Sequence, residues 1–230
     1  MFIKIIMNIS FKKTFSIFIF SFILLSCTKN QRNNEFKLKQ GDLLFQNTGT
    51  DEIDNAIKDV TATSLSKNYS HVGIAMKEND KWFVVEAIPK IGISKTPINE
   101  FLNRNKNKQD KSQTTVARLD SIYQPYISKA IAYGVERINT PYDEIFLWDD
   151  SSYYCSELVY KMFSSQNLTK EEMPFLTHPM TFNDKQGKPM ESWVKYYKTR
   201  NQSIPEGIEG TNPNLMASSS KITFVHDYEN

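Results

Sequence analysis

Two stretches alternate apolar and polar positions, residues 70–76 (SHVGIAM) and 81–88 (KWFVVEAI), and Glu78-Asn79-Asp80 lies between them. Period-two patterning around a turn-forming tripeptide predicts an antiparallel hairpin. With Asn79-Asp80 as a two-residue turn, Gly73 opposes Glu86, Ala75 opposes Val84 and His71 opposes Ile88. A short run at 43–46 (LLFQ), introduced by Gly41-Asp42, predicts a further strand, and 114–119 (TTVARL) another. Residues 51–60 place Ile53, Ala56, Ile57 and Val60 at helical spacing. A short helix is expected over 97–102. A long one should run from Pro125 to Asn139, since proline is well tolerated in a first helical turn. Residues 140–152 (TPYDEIFLWDDSS) form a loop of aromatics and acids, and 154–163 turn helical again, burying Leu158, Val159, Met162 and Phe163. Further on come an apolar segment at 193–197 and a last strand at 221–225, while 89–95, 103–112 and 204–214 are loops with no readable code. Neither an internal repeat nor a linker interrupts this series, so it predicts one α+β domain over residues 41–230.

Composition supports a packed core: of 230 residues 40% are apolar and 13% aromatic, which excludes disordered and fibrous classes. The amino-terminal segment is separate. Lys4, Lys12 and Lys13 flank or precede the run TFSIFIFSFILLS at 14–26, which is too short to span a bilayer and has the length of a signal-peptide core. It ends at Leu24-Leu25-Ser26-Cys27, a junction that resembles a bacterial lipobox. Residues 1–26 therefore predict a lipoprotein signal peptide. Cys27 is then the lipid-attachment site and 27–40 a polar tether, which places the protein in the bacterial cell envelope, bound to membrane through lipid. Loss of 1–26 removes three Lys and no acid, taking the formal charge from +2 to −1. No electrostatic case for nucleic-acid binding remains. The basic stretch NRNKNKQDKS at 103–112 has no interleaved aromatics and is expected to be a solvated loop.

With Cys27 assigned to the anchor, Cys155 is the one cysteine of the folded domain, at the start of a predicted helix. A helix amino terminus stabilises a thiolate and offers N–H groups to the oxyanion formed when sulfur attacks a carbonyl. The hairpin register puts His71 and Glu86 on one face as diagonal neighbours. Gly73 and Ala75 lie between them on that face and are small enough to let the Cys155 helix approach. Thiol, imidazole and carboxylate can then meet, with His71 as base and Glu86 orienting its ring. His178 and His226 lack Cys, Asp or Glu at ligand spacing, so no metal or cofactor is expected, and His178 is the rival to His71 as base. Tyr142, Tyr153 and Tyr154 are candidates to line a substrate cleft, although aromatic packing explains them equally well.

The segments GDLLFQ, SHVGIAM, VVEAI and YYCSELVYKMF, in that order, resemble the YiiX-like branch of the circularly permuted NlpC-type papain-like cysteine hydrolases. The resemblance covers residues 41–165. It implies a central antiparallel sheet or partial barrel with the nucleophile helix packed against it, and strands that precede the Cys helix. It also implies Cys155 as nucleophile, His71 as base and Glu86 as orienting residue, with Asp42 matching the family's opening GD near the site. The activity implied is amide hydrolysis, in peptides or cell-wall muropeptides, through an acyl-enzyme. An ester or lipid acyl substrate on the same triad stays open, as does a lipoprotein that binds a ligand without turnover.

Overall fold

A computed structural model describes residues 36–48 and 67–229. The expected helix at 51–60, the leader and Cys27 lie outside the described residues. Six strands form one antiparallel sheet: β1 (Leu43–Gln46), β2 (His71–Glu78), β3 (Lys81–Ile88), β4 (Gly92–Pro97), β5 (Thr114–Leu119) and β8 (Ile222–Asp227), in the order β4-β3-β2-β1-β5-β8. Two further strands, β6 (His178–Pro179) and β7 (Glu209–Gly210), pair as a small ribbon. The helices are α1 (Ile98–Arg104), α2 (Gln124–Val135), α3 (Cys155–Ser164), α4 (Glu191–Thr199) and α5 (Pro213–Ala217). The architecture is α+β, as the hydrophobic pattern implies. No helix among the described residues is long and apolar enough to cross a membrane.

The β2–β3 hairpin has the expected register, with Ala75 opposite Val84 and Ile74 opposite Val85. Asn79 and Asp80 both take positive φ, 47° and 60°, the conformation of a type I′ turn whose twist matches that of the strands it joins. Several boundaries differ from expectation. The segment at 89–95 is partly strand: β4 forms the sheet edge beside β3. Its sequence GISKTP carries the lysine and terminal proline common on edge strands, which gives little period-two signal. Helix α2 stops at Val135 instead of Asn139, because the chain turns through Arg137–Thr140 with Asn139 at φ 74°. Phe36 and Leu38, within the expected tether, pack against the sheet, and Phe36 stacks on His226 with centroids 4.2 Å apart.

Alternation divides the sheet's residues between two layers. Val72, Ile74, Val85 and Ala87 face α2 and α3, where they meet Ile127, Ile131, Leu158, Val159 and Met162. Leu44, Ala75, Val84 and Val116 face the other way, onto Phe101 of α1. The Cys155 helix therefore does not lie over Gly73 and Ala75, contrary to the expectation from their size. A Cβ on Gly73 would sit 2.4 Å from Val84 Cγ1, 3.2 Å from Glu86 Cβ and 3.2 Å from the Val85 carbonyl oxygen. Glycine at 73 thus makes room for the neighbouring strand and for Glu86. Gly73→Ala is expected to destabilise by about 1–3 kcal/mol through overpacking. The urea midpoint should drop, and turnover should fall with it because Glu86 is displaced; an unchanged midpoint would show that β3 yields without cost.

Candidate active site

Cys155 is the first residue of α3. The preceding Tyr154 is extended, and its N–H donates to Glu157 Oε2 at 3.4 Å, half of a capping box. The first intrahelical bond runs from Leu158 N–H to the Tyr154 carbonyl. The N–H groups of Cys155, Ser156 and Glu157 thus have no acceptor within the helix. This leaves a cluster of donors and a positive helix end at the sulfur. Glu157, fully buried, does not oppose that field, since burial pushes its carboxyl up to about 9 and it is neutral at physiological pH.

His71 opens β2, and α3 reaches the end of that strand from the opposite layer, with Cys155 Sγ 4.0 Å from the Ser70 carbonyl oxygen. Cys155 and His71 are only 5% and 6% exposed. The His71 Nε2 to Glu86 Oε2 distance is 2.5 Å, and Glu86 is 0% exposed. Nδ1 is left for the thiol. Burial alone would lower the imidazole's pKa, but bonds to Cys155 and Glu86 outweigh it and hold the ring up at about 10. For Glu86, burial works upward and is outweighed by Arg104 and His71, which bring the carboxyl down to about 2. The ring is backed by Phe101, whose centroid is 6.1 Å away.

Arg104 was hidden in the stretch expected to be a solvated loop. It is instead the last residue of α1, and its Nη1 and Nη2 donate to Glu86 Oε2 and Oε1 at 2.9 and 2.7 Å. Thr211 and Asn214, within the expected loop 204–214, clip both flanks of the site. Ser156 Oγ donates to the Thr211 carbonyl at 3.2 Å, and Tyr69 N–H to Asn214 Oδ1 at 2.7 Å. Neither role has a local sequence signal.

The lesser candidates separate. Asp42 is not at the thiol: Arg118 grips it through Nε and Nη2 at 2.7 and 2.8 Å, beyond the end of β1 away from Gln46, the residue opposite His71. Tyr153 and Tyr154 are core residues more than cleft walls. The Tyr153 hydroxyl is bonded to Tyr133 and Arg137, and that of Tyr154 accepts from Thr211 N–H, while its ring packs on Phe146 and Trp148. Tyr142 is half-buried, and burial first, then its neighbour Cys155, hold its phenol above the ordinary range. His178 lies on β6 with Nδ1 2.8 Å from the Pro179 carbonyl oxygen. Among the described residues, no hydrogen bond or ion pair joins His178 to the thiol or to Glu86 to match those of His71.

Comparison with known proteins agrees with this architecture. A crystal structure of a protein described as metalloprotein yiiX, from Escherichia coli O157:H7, superposes with a TM-score of 0.65 at 22% identity, covering 84% of this chain and 98% of that one. At that identity the likeness shows the fold alone. Among the described residues here, no group of three or more His, Cys, Asp or Glu could hold a metal ion. Glu86, for its part, has both oxygens occupied by Arg104 and His71. The uncharacterized protein YiiX of Escherichia coli strain K12 is 29% identical over 126 residues, 54% of this chain and 57% of that protein, so the match spans little more than half of the relative's length. Residues 37–226 match the family described as permuted papain-like amidase enzyme, YaeF/YiiX, C92 family. That match runs from the tether's packed end into β8 and takes in His71, Glu86 and Cys155, so the chain belongs to the permuted papain-like amidase family of YaeF and YiiX.

Proposed function

We propose that the chain is a cysteine amidase of the bacterial envelope that cleaves peptide or muropeptide amides with Cys155, His71 and Glu86. The observation that carries this reading is the His71 ring, which meets Glu86 through Nε2 and leaves Nδ1 for the Cys155 thiol. In the first step His71 Nδ1 takes the thiol proton as Sγ attacks the carbonyl carbon. The N–H groups of the first turn of α3 receive the oxyanion. The imidazolium then protonates the leaving amine as the C–N bond breaks, giving a thioester. A water deprotonated by the same ring cleaves the thioester, releasing the carboxylic acid and restoring the thiol. Glu86 stabilises the imidazolium throughout. An ester or lipid acyl group would pass through the same steps.

Incubating the chain from Thr28 onward with a muropeptide mixture and a panel of lipid esters should change masses among the muropeptides, and Cys155→Ala should change none. Turnover of the esters alone would select the acyl reading. No change in either, with Cys155 still reactive toward alkylation, would favour ligand binding. For the anchor, Cys27→Ser should release the protein from the membrane fraction; a native chain with an intact leader or an unmodified Cys27 would overturn lipidation.

A further inference from the structure

Glu86 is fully buried, and a lone carboxylate there, facing a neutral imidazole, would take up a proton instead of remaining charged. Protonated Glu86 would donate to His71 Nε2. The neutral ring's proton would then sit on Nδ1, facing the thiol, and the ring could not accept the thiol proton. Ionised Glu86 accepts from Nε2–H and leaves Nδ1 as the base. Which tautomer faces Cys155 thus depends on the charge of Glu86, and the sequence-derived triad contains nothing to fix that charge.

Arg104 supplies what is missing. Its guanidinium closes on both carboxylate oxygens in the fork geometry that arginine alone offers, with its side chain 28% exposed where that of Glu86 is fully buried. The position is prepared locally. Arg104 ends α1, where the helix dipole favours a cation, and it lies 5.4 Å from the ring of Phe101, the residue one turn earlier that backs His71. Helix α1 therefore seals the polar end of the site with two residues, Phe101 against the base and Arg104 against the acid. We infer that Arg104 is a positioning residue for the hydrolysis, keeping Glu86 ionised so that His71 presents Nδ1 to Cys155 as a proton acceptor. This rests on the Cys155, His71 and Glu86 reading above.

The test is the pH profile of Cys155 alkylation by iodoacetamide in the purified full-length protein, read on the Cys155 peptide by mass spectrometry so that Cys27 does not contribute. An arginine beside a carboxylate lowers its pKa by about 1–3 units, so in Arg104→Met the acid limb of the profile should move up by about that much. Turnover at pH 4 should fall with it, by up to about tenfold. Arg104→Lys, which keeps a cation but not the fork, should lie between wild type and Arg104→Met. Urea midpoints taken in parallel separate folding from chemistry. Lower midpoints with an unmoved acid limb in both variants would overturn the inference, leaving Arg104 a merely structural ion pair. If wild-type Cys155 itself alkylates like a free thiol, the triad reading fails first and the inference falls with it.

Discussion

His71→Ala is expected to abolish turnover, by about 10⁴-fold or more, as loss of a triad member does elsewhere. Cys155 should become a poor nucleophile in the same step. An ordinary thiol with a pKa of about 8.5 is roughly 0.3% ionised at pH 6. In the wild type the His71 ring, held up near 10 by its bonds to Cys155 and Glu86, is a strong acceptor for the thiol's proton. Loss of the ring should then slow alkylation at pH 6 by about 100-fold, somewhat less than the ionised fractions imply because a more basic thiolate is intrinsically more nucleophilic. The two measurements should part on the alkaline side. Turnover needs the imidazolium as acid and should decline as pH approaches about 10, whereas alkylation needs only the thiolate and should not. His178→Ala serves as the control, since its ring is bonded to the Pro179 carbonyl. A shifted profile in that variant, or none in His71→Ala, would transfer the role of base.

What the sequence discloses about this site is what local geometry can encode. The Asn79-Asp80 turn sets the hairpin register, and the register alone brings His71 and Glu86 onto one face. The start of α3 at Cys155 is likewise local, through the capping contact of Glu157 with the backbone of Tyr154. The partner of Glu86 is not local: Arg104 sits 18 positions away in a run of polar residues, and only the path of β4 and α1 carries it back over β3. The small residues Gly73 and Ala75 misled for a related reason. A missing side chain shows that something approaches closely, but not which element does so, and here it is Val84 and Glu86 for Gly73, and α1 for the layer that includes Ala75. The tyrosines show the limit from the other side. Tyr142, Tyr153 and Tyr154 have one composition and two fates, because burial of Tyr153 and Tyr154 is decided by α2 and by the segment at Thr211, both distant in sequence.

Glu86→Gln is expected to cost stability as well as turnover, about 3–5 kcal/mol, because removing one member of a buried charged set leaves the others without compensation. Both His71 Nε2 and the Arg104 fork lose a charged acceptor. The loss should depend on pH in a direction fixed by the two shifts. Glu86 titrates near 2 in the fold against 4.5 ordinarily, so between those values the unfolded chain binds more protons; its stabilisation is complete above about pH 4.5 and disappears as pH falls toward 2. His71 titrates near 10 against 6.5, so the folded chain binds more protons there; its stabilisation is complete below about pH 6.5 and disappears as pH rises toward 10. Wild-type stability from this pair should therefore be greatest between about pH 4.5 and 6.5. In Glu86→Gln the acid-side slope loses its carboxylate, and the alkaline slope shrinks because His71 loses one of the two partners that raise it. Urea midpoints of both proteins from pH 3 to 10 should differ most inside that window and converge on either side. Parallel curves across the whole range would mean that Glu86 contributes shape and not charge, and that the carboxylate does not hold the imidazolium.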